Sequence, residues 1–382
     1  MRKPRVTAVL LAISACALAG AATPAGASPG TSLRCGQEIK RDTRLSRDLL
    51  NCPGTALTIA ADGVDLDLAG HVVDGVNAPG SDGIAVDGHS RVTIAHGTIR
   101  DFRVNGVAFR DAPQGRVRDL TIRRIGAGGV EGEDVSAGIF AKGSPGLALC
   151  GNSVSNDVNA FQSDGIVVLA SPGSALVRND ATRNAWNGIV VDDSPNSRVV
   201  GNRTWSNVSN GILLAVSGSS VVARNSSGGH TAEFTGGVVL FDSDHSRVAG
   251  NRVSDNAWAN IWIANGTTGT TVAYNRVRGG GDGIALNESP ENTVAGNRIS
   301  EAGFAGIYLS EGSDRNRVEG NLSTRGAEDG ILAEGAANRL SRNTATFNGR
   351  RGIQAVAGTV DGGGNRAFGN SLSPQCEGVF CR

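Results

Sequence analysis

A few charged and aromatic side chains carry the chemistry this sequence has to offer. Lysine occurs only at Lys3, Lys40 and Lys142, so Lys142 is conspicuous within the chain. It falls four residues after Gly138, just as Arg110 falls four after Gly106. A base beside a cation is what proton abstraction next to a carboxylate requires, since the cation offsets the developing charge. Asp164 or Asp192, set against Glu233, offers a different chemistry, in which two carboxyls flank an acetal bond. Trp186 and Phe140 add flat apolar faces on which a ring can stack.

The elements that must position these residues are legible in a repeat. A Gly followed by an apolar residue recurs at Gly83, Gly106, Gly138, Gly165, Gly188, Gly211, Gly237, Gly283, Gly306, Gly330 and Gly352, and Asn260-Ile261 fills the one gap. These mark twelve coils with a usual period of about 23 residues. Asn-centred turns lie between them, at Asn152, Asn179, Asn202, Asn225, Asn251, Asn275, Asn297, Asn321, Asn343 and Asn365. Short β-branched runs separated by Gly and Asn, without helical periodicity, predict an all-β fold, a parallel β-helix solenoid. Each strand bonds to its equivalent one coil on, about 4.8 Å away, and the bias of parallel crossovers makes the coil right-handed. The turn asparagines are expected to bond to one another up the stack and to adopt the left-handed backbone conformation.

Side-chain alternation assigns the faces. Positions one and three after each Gly point inward, so positions two and four point out. Position two reads Phe140, Val167, Val190, Leu213, Val239, Trp262 and Tyr308, apolar where water is expected. Parallel strands apolar on both sides are normally covered, so either loops fold over this stripe or it meets a ligand or partner. Position four supplies Arg110, Lys142, Leu169, Asp192 and Phe241. Long loops at 123–137, 155–164 and 227–236 bracket the coils of Gly188 and Gly211, forming walls that carry Glu131, Glu133, Asp134, Asp157, Asp164, His230 and Glu233 around a floor with Trp186 at its lip. Asp193, Asp242, Glu288 and Glu311, five after the repeat Gly, could line calcium but read as a solvated acidic column. His71 reads as structural, and Trp205 and Trp258 either seal turns or bind.

Composition and the chain start bound the setting. The 36 basic residues match the 36 acidic ones. Loss of Arg2, Lys3 and Arg5 leaves a slight acidic excess, which argues against a nucleic-acid or anionic-membrane footprint. Residues 1–27 read as a secretory signal peptide: a basic start, an apolar stretch from Val6 to Leu18, and the small Ala25-Gly26-Ala27 site. Ile13-Ser14-Ala15 before Cys16 gives a lipoprotein reading as the alternative. No transmembrane segment is expected. Residues 28–54 form an N-terminal cap, 55–370 the solenoid and 371–382 a C-terminal cap. Once Cys16 is removed with residues 1–27, the near pairs Cys35–Cys52 and Cys376–Cys381 are expected to staple the two ends, leaving Cys150 a free packed thiol. No structural metal or cofactor is expected.

The repeat, the opening coil Leu66-Asp67-Leu68-Ala69-Gly70-His71 and turns such as Gly250-Asn251-Arg252-Val253 resemble the right-handed parallel β-helix repeat proteins with a pectin-lyase-like fold, over about residues 55–370. The resemblance implies a secreted protein that binds or degrades an extracellular polysaccharide, as a lyase (Lys142 with Arg110) or a glycoside hydrolase (Asp164 or Asp192 with Glu233), with Trp186, Arg110 and Phe140 holding substrate. The alternative is a non-catalytic surface or scaffold protein that docks a partner through the apolar outer stripe. Asn-Thr-Asp and Arg-Ile-Lys motifs of polygalacturonases and the Asp-Pro-His motif of alginate epimerases are absent.

Overall fold

The computed structural model describes Cys16 and residues 30–126, 136–156 and 163–382. Every regular element among them is a strand, and the chain forms two compact units, Met1–Arg203 and Thr204–Arg382. In the first unit the strands Gln37–Ile39, Leu57–Ile59, Asp82–Asp87, Asn105–Arg110, Ala137–Lys142, Asp164–Leu169 and Ile189–Asp192 pair in parallel, each with the next. In the second, Ile212–Ala215, Gly236–Phe241, Ala259–Ala264, Asp282–Leu286, Ile307–Leu309, Ile331–Ala333, Ile353–Ala355 and Cys376–Glu377 do the same. Shorter strands complete each coil.

The alternation follows the expected faces. Ile84, Val107, Ile139, Ile166 and Ile189 form one fully buried column of the first unit, and Ile212, Val238, Ile261, Ile284, Ile307, Ile331 and Ile353 form its counterpart in the second. Burial of such apolar columns is the main favourable contribution to a fold of this kind. The repeat Gly sits where the coil turns into the sheet. A Cβ built on Gly106 would lie 2.6 Å from the carbonyl oxygen of Gly138 and 2.6 Å from Ile122 Cγ2, so only Gly permits the approach.

Three expectations need correction. The solenoid has about 14 turns rather than twelve: Gln37–Ile39, Leu57–Ile59 and Cys376–Glu377 add sheet strands without the Gly signature, and the resulting 15 strands are linked by 14 turns of chain. The turn asparagines do stack: Asn152 donates to Asn179 Oδ1 from both backbone N (3.1 Å) and Nδ2 (3.0 Å), and Asn251 repeats this with Asn275 at 2.9 and 3.0 Å. The left-handed residue, however, is the one before each Asn: Gly151, Arg178, Gly201, Arg224, Gly250 and Tyr274 all have positive φ. The Asn itself is held by the buried ladder, which fixes its side chain inward.

The third correction concerns Cys150. Cys35–Cys52 and Cys376–Cys381 are bridged as expected, but Cys150 is bridged to Cys16 rather than free, with Cα atoms 6.1 Å apart. Cys150 ends its strand half-buried on the outer side, where a segment outside the coil can reach it. Spatial reach decides a disulfide, and sequence separation, here 134 residues, does not. Cleavage after residue 27 would remove Cys16 and this bridge with it. The two bridges that such cleavage leaves, Cys35–Cys52 and Cys376–Cys381, suit an oxidising compartment. Among the described residues no helix is long and apolar enough to cross a membrane.

Candidate functional site

The residue immediately before the repeat Gly is polar in several coils, at Asn105, Asp164, Asn210 and Asp282, and there has a structural task. There the side chain accepts an N–H from the next coil: Ala137 N to Asn105 Oδ1 (3.2 Å), Asn187 N to Asp164 Oδ1 (2.7 Å), Gly236 N to Asn210 Oδ1 (2.8 Å), Ala305 N to Asp282 Oδ1 (3.1 Å). Asn meets this need without charge, so a carboxylate at this position has a different consequence. Burial pushes the carboxyls of Asp164 and Asp282 up to about 7, against the N–H bonds that favour ionisation. A carboxyl near 7 can donate or accept a proton at neutral pH.

Asp282 lines a groove of about 980 Å³ in the second unit, whose lining includes Trp258, Gly280, Gly281, Asp282, Phe304 and Tyr308. Register explains its shape. Asp282 pairs with Ala259, and Ile284 pairs with Ile307, so Trp258, Gly281 and Phe304 occupy one position on three successive strands. Two aromatic walls thus stand two strand spacings apart, roughly 10 Å, with a glycine floor between them. A Cβ at Gly281 would collide with the carbonyl oxygen of Trp258, which keeps that floor bare.

The walls are braced. Phe234 packs on Trp258 with ring centroids 5.0 Å apart, Trp258 lies 6.4 Å from Trp262, and Phe304 meets Tyr308 edge-on at 5.8 Å. Trp262 donates its indole N–H to Asn287 Oδ1 (2.8 Å), and Tyr308 donates its hydroxyl to Glu334 Oε2 (2.8 Å). Burial first, and then that bond, push the Tyr308 phenol up to about 12, so it stays a donor. Of the outer apolar stripe Val239 is fully buried, while Phe234, from the 227–236 loop, is exposed and packs on Trp258.

The residues singled out in the sequence fall into separate groups. Arg110, Lys142, Leu169 and Asp192 pair in register on successive strands, which puts Lys142 and Asp192 two strands apart on one edge. Asp164 lies at the other end of its strand, five residues from Leu169, with both Asn187 N and Nδ2 on its Oδ1. Trp186, 37% exposed, is on that same edge, its N bonded to Ser163 O at 3.1 Å. No ion pair joins Lys142, Asp164 and Asp192. Arg110 and Phe140 do meet: the guanidinium carbon lies 5.9 Å from the ring centroid, while Arg110 Nη2 binds Asp82 Oδ2 at 2.9 Å. Phe140 is packed into an apolar cluster with Ala137 and Val167.

Glu233 is exposed in the second unit. His230 is buried and takes the place of an Asn in a second ladder: Asn207 N donates to its Nδ1 (3.2 Å), and Ser227 Oγ lies 3.1 Å from its Nε2. Burial drives its pKa down to about 4. Glu131, Glu133, Asp134 and Asp157 lie outside the described residues. Asp193, Asp242 and Glu288 take positive φ, as a turn column does. Among the described residues no group of three or more His, Cys, Asp or Glu side chains forms a metal site.

Trp258 was expected either to seal a turn or to bind, whereas Asp282 and Phe304 were not singled out in the sequence because no long loop flags their coils. The available signal was positional: Trp258 and Phe304 sit two residues before the repeat position, as Trp186 does, on either side of the one coil that has Gly there.

A family model described as a right-handed β-helix region matches residues 129–277 and 230–367. The crystal structure of the periplasmic alginate epimerase AlgG is similar, with a TM-score of 0.50 at 13% identity over 87% of this chain and 76% of that one. A double mutant of the same enzyme gives 0.52 at 14% identity, with the same 87% and 76% coverage. The A-module of the Azotobacter vinelandii mannuronan C-5 epimerase AlgE4 gives 0.39 at 16% identity, over 90% and 91%. At these identities the likeness is one of fold. Among curated proteins, none matches the sequence.

Proposed function

Because this chain belongs to the right-handed β-helix family, we propose that it acts outside the cytoplasm on a polysaccharide, held between Trp258 and Phe304, with Asp282 as the acid–base group. The observation that carries this reading is the coincidence of a proton-exchanging carboxyl with an aromatic-walled notch. Sugar rings present flat C–H faces suited to aromatic walls, and a few placed polar groups then orient the ligand. Related folds serve carbohydrate chemistry in the alginate epimerase, which is consistent with such a substrate. Asp255 also lines the groove, and no Lys or Arg does. That favours cleavage by two carboxyls over cation-assisted elimination.

The test is a panel of uronic-acid and neutral polysaccharides, monitored for reducing ends and for unsaturated-uronate absorbance. On the polysaccharide that the wild type uses, Trp258→Ala should weaken binding about tenfold. Wild-type protein that neither binds nor cleaves any member of the panel refutes the reading and leaves the apolar stripe as a partner surface.

A further inference from the structure

The position following the buried asparagines is where the chain exceeds what stacking requires. Asn251, Asn275 and Asn297 point inward and bond in series. The residue after each must face out, and on three successive strands it is Arg252, Arg276 and Arg298, paired in register. Leu322 follows at the same position on the next strand, so the fold itself is indifferent to arginine there. Like charges directly opposed across strands repel. Among the described residues none of the three has an ion-pair partner, whereas Arg278, in the same groove, has Glu301 at 2.9 Å.

These arginines line a groove of about 450 Å³, with Trp205 also in its wall. The indole N–H of Trp205 donates to Ser226 Oγ at 3.2 Å, which fixes its ring. The groove follows the strand-to-strand direction, so its guanidinium groups recur at the strand spacing of about 4.8 Å, close to the length of one sugar residue in an extended chain. We propose that this groove is a second binding site, for a linear acidic polysaccharide whose successive carboxylates dock on Arg252, Arg276 and Arg298. Guanidinium forks match carboxylates in a bidentate way, and the anion relieves the repulsion along the column. The site uses a different face of the coils from the aromatic notch, so either can fail without the other.

The test is electrophoresis of the full chain through gels containing polygalacturonate or, as the neutral control, dextran. Retardation by polygalacturonate alone, relieved by added salt, is expected. Arg252→Gln, Arg276→Gln and Arg298→Gln should each weaken it about tenfold, the triple variant should abolish it, and Arg315→Gln, an exposed arginine outside the groove, should leave it intact. Arg276→Lys should retain part of the binding, as a point charge without the fork. Circular dichroism checks the triple variant; if its β-signal is lost, Leu322→Glu, an acid placed in the same column, must weaken retardation instead. Equal retardation of wild type and a folded triple variant overturns the proposal. So does equal retardation in dextran, a loss from Arg315→Gln equal to that from the groove arginines, or arginine-dependent binding confined to single-stranded DNA or phosphatidylglycerol vesicles.

Discussion

Asp164 in the first unit and Asp282 in the second hold the same place in the repeat, accept an N–H from the next coil, and are both driven to about 7 by burial. Their surroundings differ. Asp164 takes two bonds from Asn187 and is 4% exposed, as against 5% for Asp282. Asp282 takes one, from Ala305, and borders a groove with a bare glycine floor. Desolvation alone therefore does not identify a site. A perturbed carboxyl becomes useful chemically where a ligand can also reach it, and in this chain the missing side chain at Gly281 provides that access.

The largest expected effect separates the two carboxyls by activity. Asn preserves the Oδ1 acceptor in both places but cannot exchange a proton. Asp282→Asn should lower turnover of the polysaccharide by about 10² to 10⁴, while Asp164→Asn should leave it within about twofold, since only proton transfer at an accessible site is removed. Steady-state rates on the same substrate measure both. Equal losses would mean that both columns serve the reaction and would break the contrast.

The next effect is on stability, and its sign follows from linkage. The Asp164 carboxyl titrates at about 7 in the folded chain and near 3.8 when exposed. Between those values the folded state keeps a proton that the unfolded state has lost, so stability falls as pH rises through this window and levels off above it. Asn105, Asn187 and Asn210 show that the column accepts the amide. Asp164→Asn should therefore stabilise by about 2 kcal/mol at alkaline pH, with little change near the acid end of the window. Thermal melting of wild type and variant at both ends tests this; a destabilised variant at alkaline pH would mean that the ionised carboxylate is itself the favoured form.

Much of the fold was legible because one requirement recurs in every coil. The Gly approach, the inward Ile columns and the Asn ladder each repeat a single contact, so periodicity revealed them. The terminal coils were missed because Ala56, not Gly, precedes Leu57, and because Cys376–Glu377 departs from the pattern altogether. Cys150–Cys16 was invisible for the converse reason: it joins the repeat to a segment outside it. For the site, alternation correctly placed Arg110, Lys142 and Asp192 on one outer edge. What alternation cannot show is which coils lack a side chain between two large ones, and that absence makes the notch at Asp282.

A smaller effect comes from His230, which borders the notch yet is closed like Asp164. Its pKa of about 4 lies below the unfolded value of 6.5. As pH falls through that range the unfolded chain gains a proton that the folded chain refuses, so stability is present above 6.5 and is lost toward 4. Asn207 and Asn256 flank it in the ladder. His230→Asn should flatten this acid slope, by about 1 kcal/mol near pH 5.5, without altering the alkaline limb that Asp164 governs. Urea denaturation across the acid range distinguishes the two residues; an unchanged slope would assign acid lability elsewhere.

The smallest effect concerns Lys142, Asp192 and Trp186 in the first unit. Coils two apart place Lys142 and Asp192 about 10 Å from one another, a span that a short oligosaccharide covers, while Trp186 stands at the opposite edge beside Ser163. An exposed charge in water contributes little to binding, and a ring that stacks on Trp186 does not reach the other two. Lys142→Ala, Asp192→Asn and Trp186→Ala should each change affinity by no more than about threefold, compared with the tenfold expected of Trp258→Ala, and each should leave turnover unchanged. The decisive outcome is additivity. If either Lys142→Ala or Asp192→Asn alone costs far more than threefold and the pair costs little more than either, they grip one ligand as a unit, and the first unit, rather than the notch of the second, holds the reacting sugar.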